Sequence, residues 1–171
     1  MRRAIERFQG ASMVFEKLLA VHHRNQMWES YLAYEKALIG TLDQELNGSD
    51  KGAAIATSGI ATLRQDASVN DASIEVLYHA TSAMLTALPL RLRDSRLTVE
   101  YAAQLVALSH RKVPTYLLLL AQAYRADGQM EKANATAHEG LNLLPPRQAG
   151  TPAVRCRTLL EQITSAGHSK S

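Results

Sequence analysis

Apolar residues recur at three- and four-residue steps along almost the whole chain, the interval that puts side chains on one face of an α-helix. Eight stretches carry the pattern. Ile5, Phe8, Phe15 and Leu19 form the first stripe, and Trp28, Leu32, Ile39, Leu42 and Leu46 the second. After Asn47-Gly48 a third follows on Ala53, Ala56, Ile60 and Leu63; past the polar DASVND, where Asn70 or Asp71 can cap a helix, Ile74, Leu77, Met84 and Leu88 make the fourth. Pro89 bends or ends that helix. Leu97, Tyr101, Leu105 and Leu108 mark the fifth, Leu117, Leu120 and Tyr124 the sixth, Met130, Ala133, Ala137, Leu141 and Leu144 the seventh, and Val154, Leu160 and Ile163 the eighth. No segment alternates in the manner of a half-buried strand. With aromatics at 5 % and Ala and Leu abundant, the expectation is an all-α chain of antiparallel helix hairpins joined by short polar turns.

The 171 residues suit one domain, over residues 1 to 166, with 166 to 171 as a disordered tail. Charged residues make up 20 % of the chain and the formal charge is +3, with acidic and basic residues interleaved, so the charge says little about partners. The densest basic stretches are Arg91, Arg93 and Arg96, then His110, Arg111 and Lys112. They fall near helix ends, where a cation meets the negative end of the helix dipole. Nucleic-acid contact through these edges stays open as an alternative, although no segment interleaves bases with aromatics as a stacking platform. The single cysteine, Cys156, excludes an intramolecular disulfide, and a reducing cytoplasm is expected. No apolar run reaches signal-peptide or membrane-spanning length, so a soluble, uncleaved chain with no membrane contact is expected.

Repetition is visible inside the chain. AHEGLNLL at residues 137 to 144 lies on ATSGIATL at 56 to 63, with Ala, Gly, an aliphatic residue and Leu at identical spacing. It also lies on AAQLVALS at 102 to 109, where Ala102 matches Ala137. The stretch PTYLLLLAQAYRADGQMEKANATAHEGLNLLPPR, residues 114 to 147, resembles a tetratricopeptide repeat. The family's two-helix pattern is matched by a small residue at Ala121, an aromatic at Tyr124, a turn glycine at Gly128, small residues at Ala133 and Gly140, and a helix-ending proline at Pro145. Ala137 stands where the family prefers a large apolar residue, and Gly140 where it prefers Ala.

The resemblance implies a solenoid of αα-hairpins with a right-handed superhelical twist. In that register residues 27 to 66 form a degenerate repeat, with Gly40 at the small position and Asn47 at the turn, and 71 to 109 an irregular one. Residues 4 to 23 form a lone helix, and 150 to 165 a helix capping the apolar end. It further implies a concave groove for a peptide or partner protein, lined by Tyr34, Ala37, Thr41 and Gln44 in the early unit and by Thr115, Leu118, Gln122 and Arg125 in the later one. The stretch LSHRKVPTYLLLLAQAYRADGQMEKA is also similar to repeat arrays at the C-terminal ends of large bacterial multidomain proteins. A free-standing adaptor and a detached regulatory region of a larger protein both stay open, as does a homodimer through an uncovered N-terminal end.

Catalysis is not expected, and neither is a metal or cofactor. The six histidines, His22, His23, His79, His110, His138 and His168, include no pair at the four-residue spacing of a helical zinc site. Glycine-rich phosphate loops and nucleophile elbows are absent. Cys156 falls on the apolar side of the last helix, the position of a small buried residue.

Overall fold

The computed structural model describes residues 2–21, 25–69, 71–87, 89–145 and 151–168. Among them are eight α-helices and no strand: α1 (Arg2–Val21), α2 (Gln26–Asn47), α3 (Asp50–Ala67), α4 (Ile74–Thr86), α5 (Ser95–Leu108), α6 (Pro114–Ala126), α7 (Met130–Asn142) and α8 (Thr151–His168). A single 3-10 turn, Leu90–Leu92, follows α4. The all-α expectation holds. The chain divides into two compact units, residues 1–94 and 95–171, a division that falls inside the 71 to 109 stretch.

In the first unit α2 is the central element, packed against α1, α3 and α4, while α3 also packs on α4. Local chemistry sets its ends. The Asn25 side chain accepts from Trp28 N at 3.1 Å, and the Gly48 N–H, at φ 60°, closes the last turn on Gln44 O at 3.0 Å. Asn47, expected at the turn, is the last helical residue, and the glycine after it takes the left-handed conformation because it has no Cβ to clash. Ser49 caps α3 through Gly52 N, and Ser73 caps α4 through Val76 N at 3.3 Å. The α4 cap is thus Ser73 and neither Asn70 nor Asp71; Asn70 and the stripe residue Leu88 lie outside the described residues. The helix ends at Thr86, ahead of Pro89, where Arg93 Nε donates to Ala87 O at 2.9 Å. Ile60, Leu63, Val76, Leu77 and Met84 fill the core.

The α2–α3 contact is unusually close. A Cβ on Gly40 would meet Ala56 N and, at 2.5 Å, Gly52 O; one on Gly59 would meet Ala33 O at 2.5 Å and Ala37 N at 2.6 Å. The two backbones touch along Ala33, Ala37 and Gly40 on one side and Gly52, Ala56 and Gly59 on the other. Only residues with little or no side chain permit that approach.

In the second unit α6 packs against α5, α7 and α8, and α7 against α8. Pro114 opens α6, where its missing N–H costs nothing. Gly128, at φ 77°, turns the chain from α6 into α7. Beside it the Ser95 hydroxyl donates to Asp127 Oδ1 at 2.7 Å and Gln129 Nε2 to Asp127 Oδ2 at 2.6 Å. Leu118, Ala121, Ala133, Ala137, Cys156, Leu160 and Ile163 form one apolar cluster. α8 reaches His168, beyond the expected end near Thr164; 169–171 lie outside the described residues.

Candidate functional site

The richest chemistry lies around α2. Between α1 and α2 the side chains form a seam of layers. The Phe15 ring stacks on Tyr31 at 5.1 Å and 10°. Two turns away Phe8, Leu38 and Leu42 line the same cleft. Because the partner numbers fall on α2 as they rise on α1, the helices run antiparallel. The Ser12 hydroxyl oxygen and Glu35 Oε2 are both sealed from solvent and have no hydrogen-bond partner. Burial pushes the Glu35 carboxyl up from its ordinary value to about 7.

Clefts open on both sides of α1. One, of about 480 Å³, is lined by Phe8, Leu38, Thr41, Leu42, Glu45, Leu85, Thr86 and Arg93. The other, of about 400 Å³, is bordered by Ser12, Met13, Lys36, Ile39 and Ile55, among others. The first has a mainly aliphatic floor, with Glu45 and Arg93 at its rim.

On the α4 side of α2 sits His79, 3 % exposed. Tyr34 stacks on its ring at 4.9 Å and 19°, and Tyr31 and Tyr78 meet it edge-on at 4.3 and 5.6 Å. Its Nδ1 shares a 3.2 Å hydrogen bond with Ser30 Oγ, while Ser30 donates to Met27 O at 2.9 Å. With the hydroxyl proton used there, the network assigns the imidazole hydrogen to Nδ1. Burial drives the His79 pKa down to about 4 against a smaller opposing pull from Glu75, so the ring is neutral at physiological pH. Burial, then Tyr78 and Glu35, pushes the Tyr34 phenol up to about 12.

In the first unit the residues expected to line a groove are buried or half-buried, and in the second only some of them are exposed. Tyr34 turns to His79. Ala37 is 2 % exposed, its backbone against Gly59. Thr41 is buried in the wall of the larger cleft. Gln44 is half-buried, its Oε1 sealed and unpartnered and its backbone N close to Gly52. On α6, Thr115 and Arg125 are exposed and Gln122 half-buried, whereas Leu118 is buried in the cluster with Cys156 and Leu160. The physical reason is the same in both places. Other helices cover part of the face, α3 and α4 over α2 and α8 over α6.

The motif positions sit as follows. Ala121 and Ala133 are fully buried, and Tyr124 lies at the edge of the same cluster with Lys132 Nζ 5.6 Å from its ring centre. Gly140 faces Leu160 and the Leu117 Cβ, and the Pro145 carbonyl accepts from Arg157 Nη2 at 2.7 Å.

Arg111 makes a two-pronged ion pair with Glu139, its Nε 2.7 Å from Oε1, and His110 and Arg111 take left-handed conformations (φ 51° and 58°) at the α5–α6 turn, where Arg111 N donates to Val106 O. Burial raises the Cys156 thiol pKa, which suppresses the thiolate that nucleophilic attack requires. Among the described residues no group of three His, Cys, Asp or Glu is placed to hold a metal ion, and no helix is long and apolar enough to cross a membrane. His22 and His23 lie outside the described residues.

Ser12, Glu35 and His79 were not singled out from the sequence as site residues. A signal existed: Tyr31, Leu38 and Leu42 share a helical face with Glu35 in its middle, as Phe8 and Phe15 do with Ser12. It was obscured because α2 packs against three helices and so presents several overlapping apolar stripes. No family model, curated protein or solved structure matches the chain.

Proposed function

We propose that this chain is a non-catalytic protein-interaction module, built from tetratricopeptide-like hairpins, that takes a peptide or helix of a partner protein at the cleft beside α1. The observation that carries the proposal is the 480 Å³ cleft itself, with four apolar side chains, Phe8, Leu38, Leu42 and Leu85, flanked by one acidic and one basic residue. Apolar anchors inside a polar rim are how helices and extended peptides are held. Thr41, one of the residues the family resemblance assigns to partner binding, lines it. The repeat likeness rests on residues 114 to 147, where Gly128 turns the chain and Ala121 and Ala133 let α6 and α7 approach.

Two of the basic residues that favoured nucleic acid in the sequence have other work. Arg93 donates to the carbonyls of Ala87 and Thr86, and Arg111 to Glu139. This supports a protein partner over a phosphate backbone. The proposal includes a reducing, cytoplasmic setting, in which the buried Cys156 stays a thiol.

The test is capture of partners from a lysate by the native chain and by a Glu45→Arg, Thr86→Arg double variant. Both substituted residues are exposed, so helicity by circular dichroism should not change. A protein retained by the first and lost by the second is the expected result. Equal retention by both removes the cleft as the binding site. A Gln122→Ala, Arg125→Glu variant is the control for the exposed part of α6.

A further inference from the structure

The smaller cleft of the first unit, about 400 Å³, is walled by α1, α2 and α3, the outer two helices both packing on α2. Its volume lies in the range of small-molecule sites. α1 contributes Ser12, Met13 and Glu16, which share one helical face; α2 contributes Lys36 and Ile39, and α3 contributes Ile55. Met13, Ile39 and Ile55 supply the apolar lining. Lys36 is half-buried, and among the described residues no carboxylate forms an ion pair with it. Glu35, beside it in sequence, is no exception: burial alone raises that carboxyl, with no cation lowering it. Glu16 lines the same cleft but is exposed and stays hydrated.

Ser12 is 8 % exposed, and its hydroxyl has no hydrogen-bond partner. A serine inside a helix ordinarily satisfies its hydroxyl on a carbonyl of the preceding turn, and this one does not. Rotation about a single bond lets the hydroxyl donate to an acceptor bound in the cleft. An unpaired, half-desolvated cation and an unused donor, set against an apolar wall, complement an anionic head on an apolar tail.

We propose that this cleft binds a small amphipathic carboxylic acid, with its carboxylate held by the Lys36 ammonium and the Ser12 hydroxyl and its apolar tail against Met13, Ile39 and Ile55. Charge selects the head group. Lys36 brings one positive charge and Glu16 repels a second negative one, so a monoanion is favoured over a phosphate dianion. This is a different cleft from the one assigned above to a partner protein, and the inference goes beyond that reading without depending on it.

The experiment is methyl and amide NMR of the full chain titrated with decanoate, decanol and decyl phosphate. Decanoate should shift the Met13, Ile39 and Ile55 methyl signals and bind about ten-fold more tightly than decanol, with decyl phosphate the weaker of the two anions. Lys36→Gln should reduce decanoate to the affinity of decanol, and Ser12→Ala should weaken it about three-fold. Glu16→Gln changes an exposed residue and leaves the fold alone, and it should tighten decanoate. The Glu45→Arg, Thr86→Arg variant should bind decanoate as the native chain does.

Absence of binding, equal affinities for decanoate and decanol, or a carboxylate preference that survives Lys36→Gln overturns the proposal. So do tighter binding of decyl phosphate, an affinity that Glu16→Gln leaves unchanged, and shifts centred on Phe8, Leu38 and Leu85 of the larger cleft. If decanoate fails while the Glu45→Arg, Thr86→Arg variant still loses a captured partner, the interaction reading stands and this inference fails. If decanoate binds as described but no captured partner depends on Glu45 and Thr86, the acid site stands and the interaction reading fails.

Discussion

In the first unit the α2 and α3 backbones touch, whereas in the second Gly140 of α7 meets leucine side chains. The contrast is sharpest at two positions that look alike in sequence. Gly59 and Gly140 occupy the same place in the matching stretches 56 to 63 and 137 to 144. Yet Gly59 lies against the backbone of Ala33 and Ala37, and Gly140 against the Leu160 methyl groups, at 3.1 and 3.3 Å, and the Leu117 Cβ. The difference comes from the opposing helix. α2 presents Ala33, Ala37 and Gly40 to its neighbour, so nothing stands between the main chains; α8 presents Leu160. A small residue therefore marks a close helix contact, but the partner decides whether backbone or side chain fills the space.

The comparison predicts unequal tolerance. Gly40→Leu should cost the most, at least about 4 kcal/mol, because rigid backbone cannot yield to the added atoms. It should be read as lost amide protection in α2 and α3 and a lowered urea midpoint. Gly140→Ala meets only the flexible end of Leu160 and the Leu117 Cβ, and should change stability by about 1 kcal/mol or less. A comparable loss at both sites would erase the distinction between the units. Leu160→Ala tests the side-chain mode directly. Leu160 is fully buried, so its removal should cost about 3 kcal/mol in urea denaturation, by lost transfer energy plus a cavity.

Acid separates two groups of the first unit next. His79 has a folded pKa near 4 against an ordinary 6.5, so the stability it gives is complete above 6.5 and lost as pH falls toward 4. Glu35 is the opposite case. Its folded value near 7 against 4.5 gives stability that is complete below 4.5 and lost as pH rises through 7. Between 4.5 and 6.5 the two trends oppose. In a Glu35→Gln chain the His79 loss should emerge alone, about 2 kcal/mol between pH 7 and 4 after allowance for solvent screening, measured as ΔG of urea unfolding against pH. The groups facing His79 are Tyr31 and Tyr34 from α2 and Tyr78 and Glu75 on its own helix. A Glu35→Gln profile with the native slope would rule out this division of roles.

The smallest effect belongs to the second unit's ion pair. Arg111 and Glu139 are half-exposed, at 50 % and 36 % of their side-chain surface. Arg111→Ala should cost about 1 kcal/mol or less, and less again in high salt. Arg111→Gly should recover part of that loss, because glycine relieves the left-handed backbone at φ 58°. Thermal melts of the three chains at low and high salt decide it.

Much of the helical layout was legible in the sequence. Periodicity placed all eight helices, and Gly48, Gly128, Pro89, Pro114 and Pro145 punctuate them for reasons that are local to the chain. The α4 cap was misplaced because Asn70, Asp71 and Ser73 are all competent cap residues, and which one serves depends on where the helix begins against its neighbours. Of the groove residues, Thr41 lies in a cleft, but Ala37 and Leu118 are buried, since periodicity tells which residues share a face and not what covers that face.

Alone, the sequence determined the class of structure: apolar residues at helical spacing, broken by glycine, proline and polar caps, make an all-α chain, because helix formation and termination are governed by residues within a few positions of each other. Tertiary structure decided which neighbour each stripe of α2 meets, that Gly59 and Gly140 fill different roles, and that one carboxylate oxygen of Glu35 is sealed from solvent without a partner. These depend on residues far apart in the chain, and burial, desolvation and unpaired hydrogen-bonding groups exist only once such residues are brought together.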